Sequence, residues 1–143
     1  MNITVSVELT LARRIRNTRE QLRWFGWIRE AEARRIAQGR FTYTTAAVHS
    51  ASGELAAYTQ MGGTPETPDR LNQYDTYVVR SHRGNRLGIA VKAPNLRTLQ
   101  ADLAQPAALH TWNAPENTPM IAVNDKLHFR PVAQRTAWEL ELH

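Results

Sequence analysis

Apolar positions in this chain alternate between helical and extended spacing. From Thr10 to Gln38, Leu11, Ile15, Thr18, Leu22 and Phe25 recur every three or four residues, and Ile28 and Ile36 roughly continue the stripe. That spacing predicts a helix with one face against a core. Gly39 follows as a C-terminal stop. Gly26, set among Trp24, Phe25 and Trp27, predicts a bend or two helices in series. Ahead of it, Ile3, Val5 and Val7 alternate as a short strand would.

Extended patterning then takes over. Phe41 to Ser50 is rich in Thr, Val and aromatic residues, Ala51-Ser52-Gly53 is turn chemistry, and Leu55 to Met61 reads as the returning strand. Gly62 to Gln73, with two glycines and two prolines, reads as a loop, and Tyr74 to Arg80 as a third strand. Leu87 to Leu103 returns to helical spacing, with Pro94 predicting a kink or a shifted boundary. Leu109 to Asn113 reads as a short strand. Thr118 is a natural N-cap before Pro119, and Met120 to Leu127 is the helix that follows. In Phe129 to Leu142, Trp138, Leu140 and Leu142 alternate against Glu139 and Glu141, which predicts one or two strands. This order of elements implies an α/β (α+β) domain with a mixed sheet, one domain spanning residues 1–143.

Composition narrows the chemistry. The chain has no cysteine, which excludes disulfides, thiolate metal sites and cysteine nucleophiles. No apolar stretch approaches the roughly 20 residues of a membrane helix, and the N-terminus lacks the pattern of a signal peptide. A cytoplasmic location with no membrane partner is the expectation. The net charge is +5, and Lys92 and Lys126 are the only lysines, so arginine carries the positive charge. Arginine suits bidentate contacts to phosphate or carboxylate. The excess fits a basic surface, a nucleic acid or a ligand with several phosphates. The arginines make no single stripe and no nucleic-acid recognition motif is present, so no nucleic-acid partner is expected.

The segment from His82 to Gly88 is polar, basic and glycine-containing, between a strand and a helix. The first turn of a helix offers free N–H groups and the positive end of the dipole, and glycine lets a phosphate approach the backbone. Arg83 and Arg86 add charge, so a pyrophosphate over residues 83–88 would be well satisfied. The segment is neither a Walker loop nor a dinucleotide fingerprint. From the residues alone, a pyrophosphate site and a simple turn with solvated arginines both remain open.

Val78-Val79-Arg80-Ser81-His82-Arg83-Gly84-Asn85-Arg86-Leu87-Gly88 resembles the acetyl-CoA motif of the GNAT superfamily, which runs Arg or Gln, two residues, Gly, one residue, then Gly or Ala. Arg83 and Gly88 match its ends, Gly84 matches a frequent extra glycine, and Arg86 stands where the inner glycine is usual. Downstream, Thr111-Trp112-Asn113-Ala114 with Asn117, Met120, Asn124, Leu127 and Phe129 resembles the strand and helix that end the GNAT core. Its asparagine spacing is similar to that of mycothiol synthase and its relatives. The resemblance covers roughly residues 41–138. It implies a GNAT-like mixed central sheet flanked by helices, with Met1 to Leu9 either supplying the family's first strand or opening a domain shortened at the N-terminus. Acetyl-CoA would be the co-substrate and the amine of a small molecule the acceptor. It further implies that Val78, Val79 and Arg80 hold the pantetheine arm, that Arg83, Gly84, Asn85, Arg86, Leu87 and Gly88 bind the pyrophosphate, and that Asn113 and Asn117 meet the far side of the arm.

In such a reaction a neutral amine attacks the thioester, N–H donors hold the oxyanion, and the departing thiolate takes a proton. The resemblance places the oxyanion donor at a strand amide near Val79. It places Asn124 where a tyrosine often donates the proton, and an amide is not a useful acid. Asp75 is the candidate base, its other reading being a surface carboxylate. Tyr74 and Tyr77 are candidate acids that core packing explains equally well. His82 reads as a local contact of the turn and His110 as a half-buried strand residue. No histidine or carboxylate set has metal-ligand spacing. A second class of function stays open beside the enzyme: an acyl-CoA-binding or protein-interaction module without turnover. Dimers are common in the superfamily, and the final strand could pair across one.

Overall fold

The computed structural model of the protein describes residues 3–7 and 19–143. Among them, β1 (Ile3–Val7), β2 (Phe41–His49), β3 (Glu54–Gly63), β4 (Arg70–Val78) and β5 (Ala108–His110) form one sheet whose spatial order is the chain order. The first four strands are antiparallel, and β4 and β5 are parallel, so the sheet is mixed. The helices are α1 (Arg19–Ala37), α2 (Leu87–Asp102) and α3 (Thr118–Lys126), with a 3-10 turn at Arg80–His82. This is the α/β fold expected from the sequence.

Thr44 to Val48 is buried without alternation because helices cover both faces of the sheet. On one face Ile28 of α1 packs on Ala46 and Leu55, flanked by Trp24, Phe25 and Tyr58. On the other, Leu87 and Val91 of α2 pack on Ala47, Ala56 and Ala57, and Leu99 packs on Met61 and Leu71. The alanines keep the centre of the sheet thin, so the helices sit close to its backbone. Asn95 fixes α2 to β2: its Oδ1 accepts from Thr45 Oγ1 at 3.1 Å, and its Nδ2 donates to the Tyr43 carbonyl at 3.1 Å.

Several boundaries differ from those expected. The part of the first helix expected over residues 10–18 lies outside the described residues; from Arg19, α1 runs through Gly26 unbroken. It ends at Gly39 as expected, with φ 73° and the Arg40 N–H closing back on the Arg35 carbonyl at 2.8 Å. Ile36 leaves the stripe and is exposed. β4 begins at Arg70 rather than Tyr74 and stops at Val78, so Val79 and Arg80 are not strand residues. Gly62 and Gly63, expected in a loop, end β3, because the chain crowds there: a Cβ at Gly62 would stand 2.0 Å from the Phe41 carbonyl oxygen. Pro94 does not shift the boundary of α2, which runs through it with Thr98 Oγ1 donating to the Pro94 carbonyl.

β5 ends at His110, shorter than expected, and His110 is exposed rather than half-buried. α3 begins at Thr118, one residue before the expected Pro119, with Asn117 in the cap position. Residues 128–143 form no strand, and Trp138, Leu140 and Leu142 are exposed. Alternation marks a chain suited to a sheet edge, and no described strand pairs with it. No described helix is long and apolar enough to cross a membrane.

The two glycine environments give a stability test. Gly62→Ala should destabilise the protein by about 2–3 kcal/mol, since backbone must move to admit the methyl group. Gly26→Ala meets open space within a helix and should stabilise by about 0.5–1 kcal/mol. Urea melts of both variants check the pair, and similar effects in the two would contradict this packing.

Candidate functional site

β4 pairs with β5 only at Arg70–Ala108, Leu71–Leu109 and Asn72–His110. β4 then continues for six residues to Val78, still paired with β3 through Thr76, Tyr77 and Val78. Beyond Asn72 its other edge has no strand beside it among the described residues. The chain after His110 turns away, and a cavity of about 360 Å³ opens between the two segments. Its walls are Gln73 to Thr76 on β4, Lys92 on α2, Thr111 to Asn113 after β5, and Asn117 and Met120 at the start of α3. A register shift between Thr59 and Met61 adds a bulge at this point, setting Tyr74 and Asp75 opposite the single residue Gln60.

Two buried polar groups face this space. Gln73 is only 8% exposed. Its Nε2 lies 2.8 Å from the Gln60 carbonyl and 3.0 Å from Thr59 Oγ1. Those acceptors fix the orientation of the amide and leave Oε1 buried with no partner among the described residues. Lys92 is 1% exposed. Its Nζ donates to Asn124 Oδ1 at 2.7 Å and stands 5.7 Å from the centre of the Phe129 ring. No described carboxylate lies within ion-pair distance of it.

The end of α3 builds this contact. His128 adopts φ 62°, its N–H reaches the Asp125 carbonyl at 3.0 Å, and the Phe129 N–H reaches the Asn124 carbonyl at 3.0 Å. That is a Schellman closure, and it brings Phe129 back over Lys92. Asn124 thus holds the ammonium with its side chain and Phe129 with its backbone.

One helical run away, about 7.5 Å along α2 from Lys92 to Leu87, lies the basic turn. Gly84 has φ 81° and Arg86 φ 56°, so the chain makes two left-handed steps before α2 begins. Arg86, at the position where the inner glycine was expected, therefore takes a conformation that glycine adopts without strain. Arg83 Nε donates to the Val78 carbonyl and Asn85 Nδ2 to the His82 carbonyl, both at 3.1 Å. No side chain caps α2, so the Leu87, Gly88 and Ile89 amides point out of the helix among Arg80, Arg83 and Arg86, all exposed.

The residues singled out in the sequence divide between these places. Asp75, Asn113 and Asn117 line the cavity, and Asn124 reaches it through Lys92. The Leu87 side chain is core, leaving only its amide to the turn. Gly88 is buried, and a Cβ there would meet Val123 Cγ2 of α3 at 3.3 Å, so it also sets how closely α2 and α3 approach. The Val79 N–H is already engaged by the Ala56 carbonyl at 2.9 Å, which removes it as an oxyanion donor. Tyr77 stacks on Trp24 of α1, ring centres 4.5 Å apart, and does not line the cavity. His82 stands 3.6 Å from Glu54 at the start of β3, so it meets a distant strand rather than making a contact local to the turn.

Sequence reasoning passed over Lys92, Gln73 and Arg35. Arg35 spans β3 and β4 beside the cavity: it donates to Gln60 Oε1 at 2.7 Å, its guanidinium lies 3.9 Å from the centre of the Tyr74 ring, and Nη2 is 3.7 Å from Asp75 Oδ2. Buried Glu32 completes the group, accepting from Thr44 Oγ1 at 2.5 Å. Among the described residues no group of three metal-ligating side chains occurs.

Burial lowers the Lys92 ammonium to about 8, whereas an unfolded lysine ionises near roughly 10.4. Below pH 8 both states hold the proton and the folded state bears the whole cost of burying it. Between pH 8 and 10 the folded state releases the proton first, so stability rises with pH. Burial raises Tyr58, and the hydrogen bond to Asp102 raises Tyr43, so both oppose that trend above pH 10. Lys92→Met should be more stable than the parent at pH 7 and should lose the rise between pH 8 and 10 in urea melts. An unchanged rise would show that Lys92 is not its source.

No protein-family model matches the chain, and no curated protein does. Solved structures do. A tandem GNAT protein from the clavulanic acid biosynthesis pathway superposes with a TM-score of 0.72 at 32% identity, over 90% of this chain. The chain spans 42% of that protein's length. AAC(6')-Iy, in complex with the bisubstrate analogue CoA-S-monomethyl-acetylneamine, matches with a TM-score of 0.64 at 18% identity, over 99% of this chain and all of its own. Glucosamine-6-phosphate N-acetyltransferase from Arabidopsis thaliana matches with a TM-score of 0.59 at 14% identity, over 99% and 100%. The structural neighbours are GNAT acetyltransferases and support that superfamily, and the fold of this chain is the GNAT fold.

Proposed function

We propose that this chain is an acetyl-CoA-dependent N-acyltransferase acting on the amine of a small molecule, built as one acyl-CoA-binding domain. The observation that carries the proposal is the parting of β4 from β5 after Asn72, which opens a cavity lined by Lys92 of α2, the helix whose start is uncapped and basic. An extended ligand with phosphates at one end and a thioester at the other suits that layout. In this reading the Leu87, Gly88 and Ile89 amides with Arg83 and Arg86 take the pyrophosphate. The open edge of β4 from Gln73 to Val78 takes the pantetheine arm, with Asn113 and Asn117 opposite. Gln73 Oε1, buried and unpartnered, would accept from an N–H of the ligand.

Asp75 is the base candidate for the acceptor amine. It lies on the bulge at the cavity, exposed and beside Arg35. The chemistry of the neighbours supports the same class: one is a glucosamine-6-phosphate N-acetyltransferase and another binds a bisubstrate analogue containing CoA. The subgroup similar to mycothiol synthase rests on the asparagine spacing of Asn117 and Asn124 alone. A module that binds acyl-CoA without turnover is the second reading, favoured by Asn124, which cannot donate a proton to a thiolate.

Calorimetric titration with acetyl-CoA, and with adenosine 3',5'-bisphosphate as control, tests the site. Acetyl-CoA should bind in the micromolar range. Arg83→Gln with Arg86→Gln should weaken it about tenfold to a hundredfold, as expected for lost charge-assisted bonds to phosphate. The loss should shrink as salt rises. Gly88→Asp should abolish binding too, but it also presses on Val123, so the arginine pair is the cleaner probe. Absence of binding by the folded parent would remove both readings. Binding without acetylation of any amine in a broad screen would favour the second.

A further inference from the structure

Among the described residues, Lys92 is the most deeply buried charge, and no described acid accompanies it. Burying an ammonium is costly unless it is paired, and a lysine on α2 is not needed to fill space, since methionine has similar length. Its hydrogen bond to Asn124 Oδ1 at 2.7 Å, the one it makes among the described residues, uses one of three donors. Phe129 covers one side, 5.7 Å from ring centre to Nζ. The remaining direction is the cavity, which Lys92 lines together with β4 at the point where β4 loses its neighbour.

We propose that Lys92 is the acid of the transfer, donating a proton from Nζ to the departing CoA sulfur, with Asn124 as the residue that positions it. The inference rests on the acyl-CoA reading of the cavity. The amine nitrogen forms a bond to the thioester carbon, the C–S bond breaks, and its electron pair stays on sulfur. A proton moves from Nζ to sulfur, giving CoA as the thiol and a neutral lysine. The proton shed by the amine nitrogen passes to Asp75 or to solvent, and Nζ takes up a proton from solvent before the next cycle.

The environment suits an acid of this kind. Burial brings the ammonium down to about 8, so at neutral pH it is still charged and yields its proton readily. Asp75 and Tyr74 on β4 are the titratable groups that share its cavity. Asn124 and Phe129, which touch it from α3 and the segment after it, are uncharged, and Asp125 beside them is exposed. Asn124, at the position where the resemblance places a tyrosine, does not donate to sulfur but holds the group that does.

The test needs no acceptor. CoA and desulfo-CoA are titrated into the protein from pH 6 to 10, and the ionisation of the bound thiol is followed by the ultraviolet absorbance of the thiolate. While Nζ is protonated its charge should favour the thiolate, so the thiolate of bound CoA should appear at a pH at least one unit lower than for free CoA, a tenfold or greater shift, with thiol and ammonium titrating as a coupled pair. Lys92→Met should remove that shift while leaving desulfo-CoA affinity within about threefold. Lys92→Gln, which keeps a polar group against Asn124, serves as a second variant should the first fold poorly. Asn124→Ala should reduce the shift without abolishing CoA binding. Binding of CoA with no shift, or with the same shift in both Lys92 variants, overturns the assignment and leaves the cofactor site standing. Failure of the parent to bind CoA or desulfo-CoA overturns the acyl-CoA reading itself. An acetyl group found on Nζ after incubation with acetyl-CoA would make Lys92 a nucleophile and would also overturn the proposal.

Discussion

β4 hydrogen-bonds to β3 along most of its length but to β5 over only three residues, and the rest of the site follows from that inequality. A strand edge without a partner leaves backbone hydrogen-bonding groups to be satisfied. The β3 side of β4 is paired by the ladder, while the other side from Gln73 to Thr76 faces a cavity with polar walls. The bulge at Tyr74–Asp75 turns successive side chains of β4 at this level, so that Gln73 is buried against Thr59 while Asp75 stands out near Arg35. Where the ladder stops, an extended ligand can take the place of a strand, using the same backbone groups.

α2 links the two ends of the site. Its first turn carries the uncapped amides among the arginines, and a turn and a half later it carries Lys92 into the cavity. Its position is over-determined: Leu87 and Val91 lock it onto the alanine patch, Asn95 onto β2, and Gly88 lets α3 lie against it. Rigid support of this sort suits a group whose ionisation depends on staying dry. α3 then contributes in two ways through one residue, because Asn124 binds the lysine by its side chain and Phe129 by its carbonyl.

Much of the fold was legible in the sequence because binary patterning and turn chemistry agree: the Gly39 stop, the hairpin of β2 and β3, and the strand–turn–helix from β4 to α2. The misreadings have physical causes. Gly62 and Gly63 look like turn residues, but they are glycine because backbone closes on them within a strand. The alternation of Trp138, Leu140 and Leu142 looks like a strand but finds no described partner. The turn of the site was visible through its glycine and arginines. Lys92 was not, since a lone lysine on a helix is usually at the surface. A signal was available: Gly88, Lys92, Asn95 and Leu99 fall at helical spacing on one face, and a lysine inside a stripe that is otherwise buried marks a charge held indoors. Gln73 and Arg35 needed the register of β4, which no local pattern encodes.

The proposed function requires one ligand to span the basic turn and the cavity. Backbone amide shifts followed by NMR during addition of CoA, and separately of adenosine 3',5'-bisphosphate, test it most directly. CoA should move the amides of Leu87, Gly88 and Ile89 together with those of Asn113 and Asn117, saturating at one concentration, while the bisphosphate should move chiefly the turn. CoA-induced shifts that leave residues 113 and 117 unmoved, or that cluster away from both places, would contradict it.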